Sequence, residues 1–178
     1  MAENDDLKAL IRTIPDFPKP GIQFRDITTL LLDAAGFASA ITRMAAATRG
    51  PVDLVAGIEA RGFIFAAALA APLNAGVLLI RKDGKLPGAT IAEDYALEYG
   101  TDRIALHEDA LVPGQRVLLV DDLIATGGTA RAAVRLLRKA GAVVEQTQFL
   151  VDLPDLGGAD ALRGDGIMVD SLIAFPGH

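Results

Sequence analysis

Val117-Leu118-Leu119-Val120-Asp121-Asp122-Leu123-Ile124-Ala125-Thr126-Gly127-Gly128-Thr129 is the stretch from which the rest of the chain is read. Val117 to Val120 is apolar on both faces, as a central parallel strand must be. It runs into two adjacent carboxylates, Asp121 and Asp122. A short loop follows, and Thr126-Gly127-Gly128-Thr129 opens a helix. Glycines let backbone N–H groups come close to a ligand. A helix start offers unpaired N–H donors and partial positive charge, which suits a phosphate. Thr126 and Thr129 add hydroxyl donors, and Ala125 completes the loop. The carboxylates stand where a sugar carried by that phosphate would place its hydroxyls. The string therefore describes a phosphoribosyl site.

Taken apart, the pieces are ordinary: Asp-Asp after a strand is often a solvated turn, and Gly-Gly is common helix-start chemistry. The full run is far more specific. Other phosphate loops do not fit. A Walker loop needs Lys after its last glycine, but Gly62 is followed by Phe63. No G-x-G-x-x-G run follows a strand, so a dinucleotide fold is unsupported.

Outward from this segment, short strands alternate with helices. Leu7, Leu10, Ile11 and Ile14 have helical spacing, which predicts a helix from Asp5 to Ile14. Pro15-Asp16-Phe17-Pro18-Lys19-Pro20-Gly21 cannot be helical. A helix is expected from Asp33 or Ala34 to about Thr48, strands at Asp53–Ile58 and Val77–Lys82, and a helix between them from Arg61 to Leu73. Thr90 to Leu106 reads as a β-hairpin or a mobile arm. After the motif helix, which ends at Gly141, strands are expected at Val143–Leu150 and Val169–Ala174. This alternation predicts a single α/β domain over residues 1–178, with a central, mostly parallel, twisted sheet flanked by helices. Ligands in such sheets bind outside the carboxyl ends of the strands, so the loops after Ile58, Ile80 and Val120 should meet around one crevice.

Composition narrows the partners. A net charge of −6 argues against a nucleic-acid surface but not against an anionic substrate, because binding depends on the local field. The absence of cysteine excludes disulfides and thiol chemistry and suits a reducing cytoplasm. Met1 to Lys8 is acidic and polar, unlike a signal peptide, and no apolar run approaches membrane-span length.

Along nearly its whole length the chain resembles the bacterial adenine phosphoribosyltransferases, within the type I phosphoribosyltransferase family. Besides the opening segment, the resemblance is carried by Phe17 to Asp26, Glu59-Ala60-Arg61-Gly62-Phe63, Arg81-Lys82-Asp83-Gly84-Lys85-Leu86-Pro87-Gly88, Tyr95 to Gly100, and the tail Pro176-Gly177-His178. It implies the type I phosphoribosyltransferase fold, with a small N-terminal hood over about residues 1–30 and a flexible lid over about 88–108. It implies the reaction of adenine with phosphoribosyl pyrophosphate to give AMP and pyrophosphate, with Mg²⁺, in purine salvage. It also implies a homodimer and a cis Glu59–Ala60 peptide.

The same resemblance distributes roles. The 5′-phosphate falls to Ala125, Thr126, Gly127, Gly128 and Thr129. Asp121 and Asp122 face the ribose and can stabilise an oxocarbenium-like sugar. Arg61, Arg81, Lys82, Lys85 and Tyr99 fall on the pyrophosphate side. Mg²⁺ would be held chiefly by substrate and water, with no protein ligand named. Glu98 is the candidate to take the base's proton. Adenine would stack between Phe24 and Leu123, with backbone groups around Gln23, Phe24 and Arg25 reading its edge. Position 23 is usually apolar in the family, and here it is Gln; with backbone-only contacts the change is harmless, whereas an inward-pointing amide would broaden base preference. Two alternatives stand beside this reading: a nucleic-acid-binding sensor that retains the phosphoribosyl site, and the same chemistry on another base.

Overall fold

A computed structural model describes residues 4–97 and 100–177. Among them the chain forms a two-stranded ribbon and a seven-stranded sheet. The ribbon follows a one-turn helix α1 (Asp5–Lys8) and pairs β1 (Arg12–Pro15) antiparallel with β2 (Gln23–Asp26), Ile14 opposite Phe24. The helix expected to reach Ile14 thus stops early. A short isolated helix is marginal, Pro15 cannot extend it, and β2 offers the backbone of Arg12–Pro15 another set of partners. Asp26 ties the ribbon to the start of the next helix. Hydrogen bonds from the Thr28 side chain and the Arg12 guanidinium, and from the Thr28 N–H, hold its carboxyl down at about 2.

Two helices, α2 (Thr28–Leu32) and α3 (Ala34–Ala47), lead into the large sheet, and the Asp33 side chain caps α3 by accepting from the Gly36 N–H at 2.7 Å. The rest alternates as expected: β3 (Leu54–Ile58), α4 (Gly62–Leu73), β4 (Gly76–Lys82), the hairpin β5 (Thr90–Leu97) and β6 (Gly100–His107), β7 (Arg116–Ile124), α5 (Gly128–Lys139), β8 (Val143–Asp152), α6 (Gly158–Gly164) and β9 (Met168–Ala174). The sheet order is β5-β6-β4-β3-β7-β8-β9, with β4, β3, β7, β8 and β9 mutually parallel and the hairpin antiparallel at one edge.

Both faces are covered, which is why the central strands are apolar throughout. Side chains alternate as the pleat requires. Ala56, Val117 and Leu119 pack with Val134 and Leu137 of α5, while Val55, Leu118 and Val120 pack with Phe65 and Leu69 of α4. Truncating Leu137, which is fully buried, to Ala would cost about 2–5 kcal/mol.

One boundary differs in a way that matters. The motif strand does not end at Val120: Asp121 pairs with Phe149, Leu123 with Val151 and Ile124 with Asp152. The two carboxylates therefore lie within β7, on backbone fixed by β8. Charge at these positions argues for a loop in sequence, but strand pairing prevails. Asp152, which in sequence reads as a solvated or capping acid, is buried beside Ile124.

Candidate active site

The carboxyl ends of β3, β4 and β7 open onto a cavity of about 610 Å³. It gathers Glu59, Ala60, Arg61, Lys82, Tyr95 and Asp102 around the continuous run from Asp121 to Ala130. This is the crevice position expected of a parallel α/β sheet. The Glu59–Ala60 peptide in its wall is cis, as the family resemblance implies.

The loop Ala125–Gly127 turns into α5 through Gly127, whose φ of 80° is open chiefly to glycine. A Cβ on Gly127 would also stand 2.9 Å from the backbone of Gly158. Gly158 in turn donates its N–H to the Ala125 carbonyl at 3.0 Å. The loop is thus pressed against the start of α6, and its own N–H groups at the head of α5 are left to face the cavity. Gly158 is part of the cradle, a role that sequence reasoning missed. The only signal for it is Gly157-Gly158 directly after Asp155-Leu156, easily taken as a plain turn.

A second close approach fixes the carboxylates. A Cβ on Gly62 would meet Asp121 Oδ1 at 2.8 Å, so the first turn of α4 can lie against Asp121 only because residue 62 is glycine. Asp121 Oδ1 accepts the Asp122 N–H at 2.9 Å. Burial pushes the Asp121 carboxyl well up, and the neighbouring Asp122 charge pushes it further. Burial also raises Asp122, against the lowering effect of Arg61. Arg61 Nε lies 2.8 Å from Asp122 Oδ2, yet that oxygen has no hydrogen bond. The contact is one of charge, with the N–H directed elsewhere, and the oxygen keeps its acceptor capacity.

The expected cations divide. Arg61 and Lys82 line the cavity. Arg81 does not: its Nε donates to Glu59 at 3.2 Å and its guanidinium to the Lys85 carbonyl at 3.1 Å. Lys85 also lies outside the lining. Glu59 further accepts the Lys82 N–H at 3.0 Å, the leading cause of its lowered carboxyl, so it serves to set the end of β4. Of the base-slot residues, Leu123 lines the cavity and Phe24 lies just beyond it, with the Arg61 guanidinium 5.7 Å from its ring centre and Phe17 edge-on at 5.2 Å. Gln23 and Arg25 continue the same strand, opposite Pro15 and Thr13. Glu98 and Tyr99 lie outside the described residues.

Comparison with known proteins agrees with this geometry. The phosphoribosyl transferase domain family matches residues 26–154. The adenine phosphoribosyltransferase of Erythrobacter litoralis is 59% identical over 98% of this chain and 98% of its own length. The chain belongs to the adenine phosphoribosyltransferase family. Crystal structures of family members superpose closely. The enzyme of Thermoanaerobacter pseudethanolicus gives a TM-score of 0.91 at 48% identity, over 96% of this chain and 99% of that one. The Saccharomyces cerevisiae enzyme, complexed with an imino-altritol bisphosphate and adenine, gives 0.87 at 32% identity, over 96% of this chain and 98% of that one.

Within an adenine phosphoribosyltransferase framework, two further residues join the wall. The Tyr95 hydroxyl donates to Asp102 at 3.0 Å, and Lys82 Nζ lies 3.5 Å from the same Asp102 oxygen. Both belong to the hairpin, where sequence gives alternation but not which residues turn inward. Among the described residues, no group of three or more His, Asp or Glu is arranged to hold a metal. The paired carboxylates, with one oxygen of Asp122 lacking a hydrogen bond, fit a hydrated cation shared with a substrate.

Proposed function

We propose that this chain transfers the phosphoribosyl group of phosphoribosyl pyrophosphate to N9 of adenine, releasing AMP and pyrophosphate for purine salvage in the cytoplasm. The observation that carries the residue assignment is one cavity in which half-buried Asp121 and buried Asp122 adjoin a glycine-built loop suited to a phosphate.

The N–H groups and hydroxyls of Thr126 to Thr129 bind the 5′-phosphate. This places the ribose over Asp121 and Asp122. As the C1′–oxygen bond breaks, the sugar becomes cationic, and two fixed carboxylates in a desolvated wall stabilise that charge more than they stabilise the neutral sugar. Arg61 and Lys82 receive the pyrophosphate. Arg61 gives up its contact with Asp122 to do so and leaves the face of Phe24 open for the base. Arg81 and Lys85 extend this positive edge at the end of β4. Mg²⁺ neutralises part of the pyrophosphate charge when bound, and Asp121 and Asp122 would hold its hydration shell. Adenine lies between Phe24 and Leu123, with Gln23 to Arg25 along its edge. Glu98 accepts the proton lost from the base, and Tyr99 covers the pyrophosphate side, with the 88–108 arm as a lid that excludes water.

An apolar face formed by Ile64 of α4 with Val77 and Leu79 of β4, each 40–44% exposed, supports assembly as a homodimer. The activity is tested by incubating the protein with phosphoribosyl pyrophosphate, Mg²⁺ and, separately, adenine, hypoxanthine, guanine and orotate. AMP from adenine alone is expected. Turnover of another base in place of adenine would overturn the base assignment.

A further inference from the structure

A carboxylate in the wall of a cavity meant for pyrophosphate needs an explanation, because like charges repel. Asp102 is such a group, and it is held from both ends. Its Oδ1 accepts the Arg103 N–H at 2.8 Å and its Oδ2 accepts the Tyr95 hydroxyl at 3.0 Å. The Arg103 N–H, with Tyr95 and Lys82, keeps its carboxyl below the usual range, so it is anionic at neutral pH. Burial raises the Tyr95 phenol, which therefore remains a donor. The carboxylate thus sits on the hairpin as a fixed negative charge.

Lys82 is its mobile counterpart. Its Nζ lies 3.5 Å from Asp102 Oδ2, on a side chain that is 58% exposed. An ammonium on a four-carbon stem reorients readily. It can meet Asp102 or a bound anion, but each gain on one side is a loss on the other. Exposed pairs at such a distance contribute little to folding, so stability does not account for the arrangement.

We infer that Asp102 is a positioning residue that competes with pyrophosphate for Lys82, reclaiming the lysine as pyrophosphate departs and so weakening product binding. This rests on the assignment of Lys82 to the pyrophosphate side made above.

The test is calorimetric binding of inorganic pyrophosphate, with and without Mg²⁺, alongside steady-state kinetics. Asp102→Asn should tighten pyrophosphate about fivefold and lower the KM for phosphoribosyl pyrophosphate, leaving the KM for adenine unchanged. Asp102→Glu, which keeps the charge, should restore wild-type binding. In a Lys82→Met background the gain from Asp102→Asn should disappear. Asp102→Ala serves in place of Asn should that variant fail to fold. Unchanged or weaker pyrophosphate binding by the neutral variants would overturn the inference. So would an equal gain in the Lys82→Met background, which would mean repulsion without the lysine. Failure of the Lys82 assignment itself shows separately, as unaltered pyrophosphate binding by Lys82→Met alone, and removes the inference with it.

Discussion

The loop proposed to cradle the phosphate and the hairpin arm border the same cavity but are built by opposite means. The cradle is backbone pressed on backbone, Gly127 against Gly158, and beside it Gly62 lies against the Asp121 carboxylate, with separations that leave no space for a Cβ. The arm is fastened by side chains. Arg135 pairs with Glu93 at 2.7 Å, Lys139 donates to the Ala92 carbonyl at 3.0 Å, and Tyr95 and Asp102 meet across its two strands. Its register with the rest of the sheet consists of Arg81 opposite Ala105 and Lys82 opposite Ile104. A cradle of packed backbone suits a part of the substrate that keeps its place through the reaction. Exchangeable ion pairs suit the part where a group must leave.

That contrast can be broken by mutation, starting with the largest expected effect. Replacing Asp121 and Asp122 together by Asn should lower kcat by about 100-fold or more while phosphoribosyl pyrophosphate still binds. Near-normal turnover would remove the pair from the chemistry. Gly158→Ala should come next. The added methyl collides with the Ala125 carbonyl and the Gly127 amide, so the KM for phosphoribosyl pyrophosphate should rise about tenfold with little change for adenine. Equal loss for both substrates would show that the cradle is not separate from the base slot. Phe24→Ala should raise the adenine KM by a smaller, roughly fivefold factor, as one aromatic contact is lost.

The smallest effect concerns stability. Burial raises Asp121, so the native state holds its proton more tightly than the unfolded chain does. Stability from this group therefore falls as pH climbs from the unfolded carboxyl value through the raised native one. Asp121→Asn should accordingly raise Tm at neutral pH by about 2–4 °C, even as activity falls, and the gain should vanish in acid. A lower Tm at neutral pH would contradict the reading of the carboxylates as held against a stability cost.

The same contrast explains what could be read in the sequence. The cradle was legible because glycine spacing, an apolar strand and a helix start are local patterns that dictate backbone geometry. The α/β alternation was legible for the same reason. The end of β7 was not, because Asp121 and Asp122 are strand residues only through pairing with β8. Gly158 was missed because its contact with Gly127 spans distant positions. Tyr95, Asp102 and the withdrawal of Arg81 to Glu59 depend on which way side chains turn, and alternation alone leaves that open. The early end of α1 had a similar cause, since β2 competes for the backbone that periodicity assigned to a helix.

The most direct test is a crystal structure of the protein with AMP. The account predicts the phosphate on the N–H groups of Thr126 to Thr129, the ribose hydroxyls toward Asp121 and Asp122, and adenine between Phe24 and Leu123. AMP bound with its phosphate elsewhere, or with its base away from Phe24, would contradict it.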